Sequence, residues 1–506
     1  MKALGTIFFA LAALLAPVSL GAAPRITQTQ KLVSGYARKE PLRSGLLGVL
    51  AIRGTDTLAQ YNRELKMVPA SNVKLITTGL ALTRLGPEMR FQTCLAYSGS
   101  LADGVLDGDL YIVGGGDPTI ASGSECADSL EITFSRWKGL LDAAGIKFIR
   151  GRVIGDPRIF KQPAIGLSWQ AEDLGYNYGA GPAGLSFFEN SQTFSLSPGA
   201  PGEAPSISPL YPDTPWMSFV NSATTGPSGS SNTVYYINTA FGPFGEFHGS
   251  YPADRRATRL ECSNAFGAYT CAYFFHNYLL NNGVLVEGGY ADVSPQGIVR
   301  SDLLFSDLGS PAAPQEKLTR LGACQSPRLD SIIRDTNFDS DNFYAETLFN
   351  MLSLSLYGNA DRDSSALAAT ELLRSMGLET DNNCRLIDGS GLSRKNYVSP
   401  EFFVRFLKKM YSSKYRDSYL QSLPSPGSKS TLKHRLGKVP DELKARVKMK
   451  SGSMNGVLCF SGYILSPDGD RSKTIVFSIL TNNVTAPSYA VGIYLDEIIV
   501  SLALEP

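Results

Sequence analysis

Ser71 and Lys74 stand three residues apart in the stretch Pro69-Ala70-Ser71-Asn72-Val73-Lys74-Leu75-Ile76-Thr77-Thr78-Gly79-Leu80-Ala81-Leu82. The polar opening and the mostly apolar continuation predict a buried helix with both residues in its first turn. A spacing of three puts their side chains on one face. A serine hydroxyl becomes a nucleophile when a neighbouring base takes its proton, and an amine can be that base if its surroundings hold it neutral. The first N–H groups of a helix lack intrahelical partners and lie at the positive end of its dipole, so the Ser71 amide is also placed to stabilise an oxyanion. The same Ser-x-x-Lys spacing recurs at Ser135/Lys138 and Ser430/Lys433. The pair therefore gains meaning only from what the rest of the chain brings to it.

The elements that must position the pair follow from patterning. Apolar residues at 45–53 and 57–61, joined at Gly54-Thr55-Asp56, predict two strands leading into the Ser71 helix, which Gly86-Pro87 ends. From residue 88 short apolar runs such as 109–113 and 148–154 alternate with turn clusters, which predicts a β-rich insertion to about residue 300. Gly114-Gly115-Gly116 precedes Asp117-Pro118 rather than Gly-Lys-Ser/Thr, so it reads as a turn and not a phosphate loop. Trp169, Tyr176, Tyr178, Phe187 and Phe188 are either core or the lining of a carbohydrate surface. Helical periodicity returns near 329 and covers 342–356 and 364–376; 446–450, 457–465 and 474–480 read as strands, and 489–504 as a closing helix. The simplest account is an α/β (α+β) domain with an antiparallel sheet, split by a long β-rich insertion.

With 506 residues the chain exceeds what one core organises, so two or three domains are expected. A net charge of +1 gives no electrostatic footprint for nucleic acid. Met1-Lys2, the apolar run 3–16, Pro17 and the small residues 19–23 read as a signal peptide, taken as 1–22, which implies export to an oxidising compartment and no transmembrane anchor after cleavage. The closing apolar helix is interrupted by Asp496 and Glu497 and is short for a membrane span. Seven cysteines leave at least one unpaired, with Cys262 and Cys271 the best disulfide candidates. Three scattered histidines and no Cys-x-x-Cys speak against a metal site or a Ser-His-Asp triad and favour a lysine base.

Serine acyl transfer needs further groups: a proton relay to the leaving amine, a side-chain amide for the substrate, and a cation for any carboxylate. Ser340-Asp341-Asn342 and Lys450-Ser451-Gly452 supply those types in that order. Ser-x-Asn also occurs at Ser230/Asn232 and Ser453/Asn455, whereas Lys-Ser/Thr-Gly occurs once. It falls on a predicted strand, where Gly452 would let a ligand approach the backbone. In these motifs the sequence resembles the serine penicillin-recognising enzymes. More narrowly it resembles the low-molecular-mass class C penicillin-binding proteins, the D-alanyl-D-alanine carboxypeptidase/endopeptidase family. Gly108-Asp109-Leu110-Tyr111, Gly115-Gly116-Asp117-Pro118-Thr119, Tyr178-Gly179-Ala180 with Leu185, and Asp388-Gly389-Ser390-Gly391-Leu392-Ser393-Arg394 extend the resemblance over most of the mature chain. The 265 residues between Lys74 and Ser340 match the inserted domains of that family. Lys-Ser-Gly replaces the usual Lys-Thr-Gly with the hydroxyl kept, and Pro426-Gly427-Ser428-Lys429-Ser430-Thr431-Leu432 departs from the family pattern, which leaves that loop without an assigned role.

The resemblance implies a β-lactamase/transpeptidase-like domain made of residues 23–87 and 301–506, with residues 88–300 as inserted subdomains. It implies a periplasmic enzyme acting on peptidoglycan muropeptides, acylated by β-lactam antibiotics, without metal or organic cofactor. Ser71 would be the nucleophile and Lys74 the general base, its charged form disfavoured by Lys450. Ser340 would relay a proton, Asn342 would bind the substrate amide, and Lys450, Ser451 and Ser453 beside Gly452 would meet the terminal carboxylate. The backbone amides of Ser71 and Ser453 would form the oxyanion hole. Asp341 either orients Lys74 or is structural, residues 388–394 are either a turn or part of the chemistry, and Glu346 caps or pairs on its helix. A β-lactamase shares the three motifs but needs fast deacylation; a non-catalytic envelope protein that binds glycan or a partner is the other alternative.

Overall fold

The structure is a computed structural model that describes residues 26–161, 165–238, 242–304 and 317–506. The signal-peptide reading of residues 1–22 lies outside these. Helix α1 spans Gln28–Tyr36, strands β1 and β2 span Leu46–Arg53 and Asp56–Tyr61, and α2 spans Val73–Leu85. After the insertion come α3 (Leu329–Phe338), α4 (Asn342–Tyr357), α5 (Arg362–Ser375) and α6 (Pro400–Ser412). Strands β3 (Val447–Met454), β4 (Val457–Ile464) and β5 (Ile475–Asn482) and helix α7 (Ser488–Leu504) close the chain.

The five strands form one antiparallel sheet in the order β2-β1-β5-β4-β3. Side chains alternate faces along a strand. Leu47, Val49 and Ala51 of β1, with Ile475, Phe477 and Ile479 of β5, accordingly pack beneath α1 and α7. Leu50, Val476 and Leu480 turn the other way, into a larger core shared with α2, α4 and α6. Residues 73–82 of α2 are buried on every side, which makes it a central helix rather than an amphipathic surface one. Its start differs from the expected first turn. Ala70 has φ +46°, a left-handed conformation that no right-handed helix continues through; a 3-10 turn at Ala70–Asn72 follows the chain reversal and the α-helix begins at Val73.

The insertion carries more helix than its turn-rich sequence suggests. Leu130–Ala143 and Gly267–Asn281 are helices joined through Phe134, Trp137 and Phe275 in one aromatic core. The run at 148–154 divides into Phe148–Ile149 and Val153–Asp156, strands of two different sheets. Strand Thr319–Gln325 returns to pair with Gln92–Tyr97, so the chain enters and leaves this region side by side. Gly114 to Gly116 pack against the backbones of Gly184 and Gln92 and the ring of Phe160, as a tight turn. Trp169 and Phe187 are buried core residues, and the Phe188 ring packs edge-on against Tyr211. Tyr178 is 41 % exposed and stacks on Tyr176 at 5.3 Å.

The expected Cys262–Cys271 disulfide is absent; all seven cysteines are free thiols. The two residues belong to different cores. Cys262 packs with Phe194 and Tyr236, and Cys271 with Leu185 and Phe275. Among the described residues no helix is long and apolar enough to cross a membrane.

Candidate active site

The three motifs converge where α2 begins. Lys74, fully buried, reaches Ser71 Oγ at 3.0 Å, Asn342 Oδ1 at 2.6 Å and the Ser390 carbonyl at 2.8 Å. These three acceptors fill the donor capacity of one ammonium. Burial pushes Lys74 down to about 8, against the pull of the carboxylates of Asp341, Asp388 and Glu346. The cause thus differs from the expected one: burial, rather than repulsion by Lys450, depresses Lys74. The repulsion is felt by Lys450, which burial first and Lys74 second hold well below the usual lysine range.

Lys450 is buried on the face of β3 opposite Val447 and Met449, and its ammonium donates to Ser340 Oγ at 2.8 Å and to the Ser451 carbonyl at 2.9 Å. Ser340 sits at φ +60°, outside regular structure, between α3 and α4. Asp341 caps α4 by accepting the Tyr344 amide at 2.7 Å and faces Lys74. Asn342 points its oxygen at Lys74 and donates through Nδ2 to the Tyr178 carbonyl at 2.8 Å. Gly452 brings β3 against the Ser71 turn itself: a Cβ there would lie 2.7 Å from Pro69 O and 3.0 Å from the Ser71 nitrogen. The close approach expected for a ligand is thus made by the protein's own backbone. Ser451 Oγ meets Thr431 Oγ1 at 3.0 Å, and Ser453 is exposed at the end of β3, the edge strand.

Several participants carry no motif of their own. Thr431 belongs to the loop whose role the sequence left unassigned. The carbonyls of Ser390 and Tyr178 are backbone atoms, invisible to residue typing. The 388–394 loop is built by two carboxylates. Asp388 accepts the amides of Gly391 (2.9 Å) and Ser393 (2.6 Å), Asn396 Nδ2 (2.7 Å) and Trp169 Nε1 (2.9 Å). Glu346 Oε1 accepts the amides of Gly389 (3.0 Å) and Ser390 (2.7 Å), while Oε2 pairs with Arg362 of α5 at 3.1 Å. Glu346 therefore pairs across helices rather than along its own.

A buried lysine on a serine hydroxyl, a second lysine on a second serine, and an edge strand beside them thus meet at one place. The model of the D-Ala-D-Ala carboxypeptidase 3 (S13) family matches residues 29–493, so the chain belongs to that family of serine-type peptidases. A D-alanyl-D-alanine carboxypeptidase of Actinomadura sp. (strain R39) is 28% identical over 490 residues, 93% of this chain and 85% of the relative. The D-alanyl-D-alanine carboxypeptidase DacB of Haemophilus influenzae is 25% identical over 94% of this chain and 93% of its own. The crystal structure of penicillin-binding protein 4 (dacB) from Haemophilus influenzae matches the fold with a TM-score of 0.76 at 23% identity, covering 93% of this chain and 98% of that one.

Proposed function

We propose that the protein is a D-alanyl-D-alanine carboxypeptidase that also cleaves D,D cross-links of peptidoglycan, working through an acyl-enzyme on Ser71. The observation that carries this is the buried Lys74 Nζ, 3.0 Å from Ser71 Oγ, which as a neutral amine can take the serine proton. Ser71 Oγ attacks the carbonyl carbon between two terminal D-alanines as its proton passes to Lys74 Nζ. The oxyanion forms between the amides of Ser71 and Ser453, donors of a kind worth a few kcal/mol each. The C–N bond breaks, the leaving amine takes its proton through Ser340 and Lys450, and water then hydrolyses the ester. Asn342 holds the substrate amide, and Lys450, Ser451 and Ser453, with Thr431 beside them, receive the terminal carboxylate along the β3 edge.

The lysine pair supports a trigger. A substrate carboxylate arriving at Lys450 raises that lysine's proton affinity, and the charge so formed lowers the affinity of Lys74, readying the base as the substrate binds. The division into a catalytic unit of residues 23–87 and 301–506, an inserted unit from 88, and a signal peptide directing export to the periplasm are part of the same proposal. The Haemophilus influenzae protein forms a complex with a β-lactam, and acylation of this chain by benzylpenicillin is the direct test. Intact-mass measurement should find one penicilloyl group on the mature protein and none on Ser71→Ala, with D-alanine released from pentapeptide muropeptides only by the former. An adduct that disappears within seconds would make the protein a β-lactamase instead. No adduct on folded protein would remove Ser71 as a nucleophile.

A further inference from the structure

Trp169 belongs to the inserted region, yet its side chain is buried against the other half of the chain, 6 % exposed, with its indole N–H donating to Asp388 Oδ2 at 2.9 Å. The two oxygens of Asp388 take four donors, which fills a carboxylate. The Gly391 amide and Asn396 Nδ2 lie on Oδ1, the Ser393 amide and Trp169 Nε1 on Oδ2. Three of these donors come from residues just after Asp388, and the fourth from Trp169, 219 positions away. The Arg362 guanidinium covers the same indole, 4.7 Å from the ring centroid, and pairs with Glu346 at 3.1 Å. Trp169 therefore touches both supports of the 388–394 loop, Asp388 directly and Glu346 through Arg362. Its neighbours latch onto that loop as well. Ser168 Oγ meets Ser393 Oγ at 2.6 Å, and Gln170 Oε1 accepts Arg394 Nε at 2.8 Å.

The loop so held presents the Ser390 carbonyl to Lys74 at 2.8 Å. A second acceptor of Lys74, Asn342 Oδ1, belongs to a side chain whose Nδ2 donates to the Tyr178 carbonyl, again from the inserted region. Two of the three acceptors that orient Lys74 are thus steadied from one short stretch of the insertion. We propose that Trp169 is a positioning residue for acylation: by donating its indole N–H to Asp388 it lets the inserted region hold the Ser390 carbonyl against Lys74. Tryptophan suits the task because its indole is a donor only and its broad ring packs under Arg362. Without that N–H, Asp388 Oδ2 keeps only the Ser393 amide. A buried hydrogen bond to a charged group is among the stronger ones, so its loss lets the turn at Gly391 shift and carry the Ser390 carbonyl off Lys74. Ser451 and Ser453 stand on β3 and keep their places. The loss therefore falls on the acylation step and not on binding.

The role of Trp169 rests on the Ser71 acylation reading, and one experiment separates the two. Acylation by benzylpenicillin is followed by quenched-flow intact mass over a range of antibiotic concentrations, which resolves binding from the acylation rate. It compares the wild type, Trp169→Phe, Asp388→Asn and the double variant. Trp169→Phe keeps a ring for Arg362 and loses the donor. We expect its acylation rate to fall at least about tenfold with binding within about twofold of wild type. The double variant should lie within about threefold of the slower single variant, since both substitutions break one bond. Benzothienylalanine at position 169 places sulfur where the indole N–H stands and keeps the shape of the side chain, so it carries the test even if Trp169→Phe does not fold. Its acylation rate should fall equally. A rate within about twofold of wild type in either Trp169 variant, a loss confined to binding, or losses that multiply in the double variant would overturn the proposal. A wild type that does not acylate would instead sink the Ser71 reading.

Discussion

The carbonyl of Ser390 accepts a hydrogen bond from Lys74 at 2.8 Å. An amine whose geometry depends on a loop carbonyl is only as well placed as the loop, and Glu346 fastens that loop by two amides.

Glu346→Ala removes the acceptor of the Gly389 and Ser390 amides and the carboxylate facing Arg362. Breaking a buried pair of this kind costs about 3 kcal/mol. Urea denaturation should register that loss, and acylation should slow at least tenfold as Ser390 drifts from Lys74. Glu346→Gln, which keeps one acceptor oxygen, should fall between Ala and wild type on both measures.

Lys74, pushed down to about 8, must be neutral to accept the Ser71 proton. The neutral fraction grows as pH rises through that value, from about one tenth at pH 7 to about nine tenths at pH 9. The acylation rate should climb roughly tenfold over this interval. Lys74→Arg, which cannot deprotonate, should lose acylation by a factor of about 1,000 with its fold intact by circular dichroism.

Gly391 adopts φ +87°, and a Cβ there would collide with the carbonyl oxygen of Ala70, the residue before Ser71. Gly391→Ala should displace the Ser71 turn, lowering stability by about 1–3 kcal/mol and acylation by more than the stability loss explains. Gly452→Ala, pressing on the same turn from β3, should give a similar pattern. Calorimetry paired with acylation kinetics reads both.

Cys262, Cys271 and Cys459 are fully buried, and burial pushes the Cys459 thiol up to about 12. An aromatic disulfide reagent should leave these three untouched in native protein and titrate all seven cysteines in guanidinium without reductant. A count of five in the denatured protein would reveal a disulfide.

The strands flanking the site and the buried helix were legible because periodicity reports burial, and α2 lies in the core along most of its length. Ser71, Lys74, Asn342 and Lys450 were legible because side-chain chemistry is written in residue type. What escaped depends on long-range contact. The Ser390 and Tyr178 carbonyls have no sequence signature. The helix Gly267–Asn281 escaped as well, since its nearly continuous apolar run lacks the one-sided pattern that marks a surface helix. The Cys262–Cys271 pairing failed because closeness in sequence said nothing of the two cores that separate them.

β1 and β5 are neighbours at the centre of the sheet, Val49 opposite Ile479, yet most of the chain lies between them. Synthesis delivers Ser71 and Lys74 early and Lys450 near the end, so Ser71 emerges long before the cation and the strand that complete its surroundings. Contacts this distant in sequence form slowly. The sheet and the place where the three motifs meet are thus completed only when the last fifty or so residues have been made and folded back, a delay inherent in the order of the chain.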